Sequence, residues 1–121
     1  MADLEVNTGI IKRKTYLSKN GDLCLSGAEK KITDFLIDNN ISFLKEVPYY
    51  KIVNDESCGK MVSDWVLGDG TVVEYFGMDR HKEYAEKMKR KIELCKRNNV
   101  VLIEIFDKEL NNLKKIFEYY I

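Results

Sequence analysis

A chain of 121 residues, 45% hydrophobic and with a single proline, has the makeup of one compact domain over residues 1–121 and excludes a disordered or low-complexity chain. Twenty basic and twenty acidic residues cancel, so bulk charge selects no partner and only local clustering can. Cys24, Cys58 and Cys95 are odd in number and scattered, which fits reduced, packed thiols in a cytoplasmic protein rather than a disulfide framework.

His81, the only histidine, gives no common zinc spacing with those cysteines. No apolar run reaches the roughly 20 residues that span a bilayer, and no signal peptide is visible, so neither a membrane partner nor export is expected.

In chain order, residues 1–25 read as an N-terminal extension or hairpin, turning at the Asn-Gly of "KNGD". "SGAEKKITDFLIDNN" reads as a helix capped by Ser26, with Ala28, Ile32, Phe35 and Leu36 on one face and the paired asparagines at its end. Three strand-like runs follow, "ISFLKEVPYYKIV", "KMVSDWVL" and "TVVEYF", rich in β-branched and aromatic residues. Arg80 to Asn98 is charged and periodic and reads as a helix of about five turns. "VVLIEIF" reads as a strand mostly buried on both faces. Asp107 then caps a last helix over 107–121 whose Leu110, Leu113, Phe117 and Tyr120 face inward. The expected class is α/β (α+β): a mixed central sheet flanked by helices, in the order αβββαβα.

Two features break the apolar pattern. In "SDWVLGDGTVVEYFG" a three-residue loop at Gly68-Asp69-Gly70 pairs Leu67 with Thr71 and fixes the ladder. Opposed residue numbers then sum to 138, which sets Asp64 across from Glu74 on one face, with side-chain bases about 5 Å apart. Facing carboxylates repel unless a proton or a cation lies between them. A hard cation such as Mg²⁺ takes oxygen ligands of this kind together with waters and phosphates. The alternative is an edge strand with both acids solvated.

The second feature is Lys91, which falls in the apolar stripe of Tyr84, Met88 and Cys95, within about 20° of Tyr84 at 100° per residue. A lysine there either snorkels to water or meets an anion, and Lys87 flanks the same stripe. From Arg80 to Arg97, eight Lys or Arg stand against three Glu, a local excess of +5 that bulk neutrality conceals.

At these residues the chain resembles the PD-(D/E)XK nuclease superfamily, the restriction-endonuclease-like fold, over roughly residues 26–110. "SDW" near the end of the second strand looks like its PD motif and "VVEYFG" on the third like its (D/E)xK motif. Most similar is a branch of small phage, mobile-element and Vsr-like endonucleases, in which the strand glutamate precedes an aromatic and a glycine and the next helix carries a tyrosine and lysines: here Glu74, Tyr75, Phe76, Gly77, Tyr84, Lys87 and Lys91. The family's strand lysine is absent, with Phe76 in its place, and Ser63 stands for the motif proline.

The resemblance implies an αβββαβ core and a metal-dependent endonuclease acting on DNA that leaves 5′-phosphate and 3′-hydroxyl ends. It implies that Asp64, Glu74 and the Tyr75 backbone carbonyl hold Mg²⁺ (Mn²⁺ substituting), and that Lys91 or Lys87 supplies the missing amine. Glu29 joins the site through a water or a second metal, or remains half of a capping box with Ser26. Glu46 on the first strand is solvated or joins the site. Arg80, His81, Lys82, Lys89 and Tyr84 are the expected nucleic-acid contacts, Tyr84 being otherwise a core aromatic whose hydroxyl orients Lys91. A homodimer or a separate recognition subunit would supply sequence readout. The competing readings are an inactive nucleic-acid-binding relative and a protein-interaction module.

Overall fold

The computed structural model describes residues 16–24, 26–77 and 82–121. A small hairpin opens it: β1 (Tyr16–Leu17) pairs antiparallel with β2 (Leu23–Cys24), turning through Gly21 at φ +90°. This is the expected hairpin at "KNGD"; residues 1–15 of the expected extension lie outside the described residues. Helix α1 (Gly27–Asp38) starts where Ser26 Oγ accepts the Glu29 N–H at 3.1 Å. It stops at Asn39 and Asn40, the latter left-handed at φ +55°.

A four-stranded mixed sheet follows, in the order β3-β4-β5-β6. It comprises β3 (Phe43–Lys45), β4 (Trp65–Leu67), β5 (Val72–Gly77) and β6 (Leu102–Phe106). The first two pairings are antiparallel, and β5 and β6 run parallel, joined through α2 (Lys82–Arg97).

The sheet separates two apolar layers. On one face Ile32 and Leu36 of α1 pack with Trp65, Leu67, Val73, Ile105, Leu113 and Phe117. On the other Tyr49, Val53 and Cys58 pack with Val72 and with Leu94 and Cys95 of α2. Trp65 Nε1 donates to Thr33 Oγ1 at 3.0 Å, so the one polar atom of the largest core side chain is satisfied by α1. All three cysteines are free and buried.

Three elements differ from expectation. The run "ISFLKEVPYYKIV" yields only three residues of strand, because Glu46 turns left-handed at φ +54° and Tyr49–Lys51 form a 3-10 turn after Pro48. β6 lies at the sheet edge, so Glu104 is exposed and the strand is not buried on both faces. The last helix is broken into a 3-10 turn (Asp107–Glu109), the four-residue α3 (Leu113–Ile116) and a second 3-10 turn. Asp107 is not its cap: its carboxylate accepts from the Tyr75 hydroxyl instead, while Leu113 and Phe117 are buried as expected.

Candidate active site

The β4–β5 turn has the expected register. Leu67 N–H bonds Thr71 O at 2.8 Å, Val66 pairs with Val72 and Trp65 with Val73. The next opposed position is Asp64 and Glu74, where β4 leaves its neighbour: Ser63 N–H turns to Val47 O, and Asp64 Oδ2 accepts the Tyr75 N–H at 2.8 Å. Asp64 therefore stands just ahead of β4 rather than near a strand's end. Its carboxylate takes a ladder hydrogen bond that Ser63 would otherwise accept. The separation opens a cleft of about 560 Å³.

Glu29, Glu46, Asp64, Glu74, Tyr75, Tyr84, Lys87 and Lys91 all line this cleft. Residues from α1, the β3–β4 connection, β5 and α2 thus converge as the sequence suggests. Val72, Glu74 and Phe76 alternate onto the α2 face of β5, and Glu74 is 0% exposed. Lys91, with a side chain 9% exposed, does not snorkel: its Nζ donates to Glu74 Oε1 at 2.9 Å and to Val62 O at 3.0 Å. Phe76, where the motif lysine would stand, is buried and packs on Phe106 with ring centroids 5.9 Å apart.

Burial, then the charge of Asp64, pushes the Glu74 carboxyl up to about 7, against the opposing pull of Lys91 and Tyr49. Tyr49, which the sequence reading did not single out, donates its hydroxyl to Glu74 Oε2 at 2.6 Å. Only its place after the lone proline hints at a fixed backbone; its partner is 25 residues away.

The remaining site residues divide. Tyr84 is not a core aromatic: it is 38% exposed and its hydroxyl donates to Tyr75 O at 3.1 Å. The N–H and C=O of one strand residue point the same way, so the Tyr75 carbonyl shares the side on which Asp64 lies. Lys87 is exposed along the cleft, and Glu46 is exposed on the opposite wall. Lys89 lies on another face of α2 with Glu86, Arg90 and Glu93. Arg80, His81 and the side chain of Lys82 lie outside the described residues.

Among the described residues no three His, Cys, Asp or Glu side chains converge as a ready metal cage. The donor set still suits a hard cation. When both are ionised, the two carboxylates carry two negative charges against the single ammonium of Lys91, and the Tyr75 carbonyl adds a neutral oxygen. Mg²⁺ commonly takes one or two carboxylates and completes its shell with water and phosphate oxygens. No helix among the described residues is long and apolar enough to cross a membrane. No family model, no curated protein and no solved structure matches the chain.

Proposed function

We propose that the cleft is the active site of a metal-dependent endonuclease of the PD-(D/E)XK kind that hydrolyses phosphodiester bonds in DNA in the cytoplasm. The observation that carries this reading is the buried Lys91–Glu74 pair beside Asp64: two acids on one hairpin, with a lysine from the following helix against them. Asp64, Glu74 and the Tyr75 carbonyl would hold Mg²⁺ or Mn²⁺. When bound, that ion supplies the Lewis acidity that activates a water and neutralises charge on the scissile phosphate.

The chain's own groups do the rest. Lys91, already fixed by Glu74 and by the Val62 carbonyl, is placed to stabilise charge developing on the phosphoryl oxygens. Lys87, exposed on the same helix one turn earlier, suits a flanking phosphate. The expected ends are a 5′-phosphate and a 3′-hydroxyl, and a second copy or a separate recognition subunit would supply sequence readout.

The direct test is incubation with linear and supercoiled DNA in Mg²⁺ or Mn²⁺. Cleavage is expected with the native chain and should fall by at least a hundredfold in Asp64→Asn, Glu74→Gln and Lys91→Ala, a loss of about 2.7 kcal/mol or more of transition-state stabilisation. Activity that survives both acid substitutions contradicts the proposal. One observation favours a second reading, a nucleic-acid-binding module without chemistry: both Glu74 oxygens are already hydrogen-bonded. Salt-dependent DNA binding without cleavage in either metal would select it.

A further inference from the structure

The proposed site contains a contact that its motifs do not include. Tyr49 opens the 3-10 turn after Pro48, is 0% exposed, and donates its hydroxyl to Glu74 Oε2 at 2.6 Å. The Lys91 ammonium lies 5.9 Å from the centroid of the Tyr49 ring while its Nζ bonds Glu74 Oε1 at 2.9 Å. Tyr49 therefore hydrogen-bonds one member of the ion pair and holds its ring face within cation–π range of the other. The Cys95 thiol, 4.0 Å away, donates to the same hydroxyl and leaves the hydroxyl proton for Glu74.

We propose that Tyr49 is the positioning residue of this site: its hydroxyl claims Oε2 of Glu74, so that Oε1 is the one oxygen open to a cation and Lys91 holds it in the metal-free chain. The inference rests on the nuclease reading only in taking Glu74 as a metal ligand. The carboxylate is kept from rotating by a donor on each oxygen, one neutral and permanent, the other cationic and able to exchange. Val62 O retains Lys91 beside the cleft when Oε1 is given up, because that second hydrogen bond, 3.0 Å long, does not involve Glu74. Partners that orient a ligating carboxylate typically change metal affinity by about ten- to a hundredfold.

The test titrates the whole chain with Mn²⁺ alone at pH 8.5, followed calorimetrically, with thermal melts of each variant as the control for folding. Tyr49→Phe keeps the ring and removes the donor, and is expected to weaken Mn²⁺ binding by about tenfold or more. In the Glu74→Gln background the same substitution is expected to change nothing further, since the group that Tyr49 orients is gone. Native affinity in a folded Tyr49→Phe overturns the assignment, as do losses that simply add in the double variant.

Lys91→Met gives an independent reading should Tyr49→Phe fail to fold. With Oε1 released, Mn²⁺ binds tighter than in the native chain, and weaker binding overturns the proposal. A native chain that takes up no Mn²⁺ refutes the metal reading and this role together. Ordered Mn²⁺ affinities without any DNA cleavage refute only the reaction.

Discussion

Glu74 sits where a carboxylate is least at ease, fully buried and beside a second acid, and its carboxyl is raised to about 7. The sign of the consequence follows from linkage. The unfolded carboxyl titrates near 4.3, so between about pH 4.5 and 7 the folded chain holds a proton that unfolding releases. Stability from this group is therefore greatest below about pH 4.5, falls as pH rises to 7, and is level above. The whole swing is on the order of 3 kcal/mol.

Asp64, Lys91 and Tyr49 are the charged and polar groups that face it. Urea unfolding in EDTA at pH 5, 6, 7 and 8 should show this decline in the native chain and lose it in Glu74→Gln. An equal slope in both contradicts the burial. Asp55, held below the ordinary aspartate range by Ser57, Asn98 and Arg97, acts in another window. Its contribution disappears only as pH falls below about 4, so the two effects do not overlap.

Among the elements, β4 and β5 were legible because a three-residue turn leaves the register little freedom, and Leu67 does meet Thr71. α2 was legible from its stripe, and Lys91 stood out as the residue that breaks it. The β3 region was not, since β-propensity in "VPYYKIV" gives no sign that Glu46 reverses its φ or that Tyr49 folds back under β5. The Tyr49–Glu74 contact depends on that tertiary turn and has no local signature. The contact between α1 and the sheet is testable through one atom pair. Thr33→Val keeps the shape but leaves the buried Trp65 N–H without a partner, which should lower stability by about 1–3 kcal/mol. Urea unfolding followed by fluorescence of the sole tryptophan measures it; a change below about 0.5 kcal/mol would mean that the indole finds another acceptor.

For the whole molecule, the proposed function depends on an opening where β4 and β5 part, lined by residues of α1 on one side and of α2 on the other. Net neutrality conceals this arrangement, because Glu29, Glu46, Asp64 and Glu74 gather in the cleft while Lys87 and Lys91 of α2 line it from the helix. Order and spacing along the chain brought Asp64, Glu74 and Lys91 together on paper. Glu29 and Glu46 each had a second reading, as half of a capping box and as a solvated position, and the fold sets both on the cleft, while Lys89 was carried to another face by 200° of helix rotation relative to Lys91, at about 100° per residue. The central claim is that the acid pair holds a divalent cation within reach of Lys91. A crystal structure of the chain soaked in Mn²⁺ tests it most directly, through the metal's anomalous signal. The account predicts one strong peak between the Asp64 and Glu74 carboxylates and the Tyr75 carbonyl, with the Lys91 amine still bonded to Val62 O. An empty cleft at saturating Mn²⁺, with Lys91 unmoved on Glu74 Oε1, would contradict it.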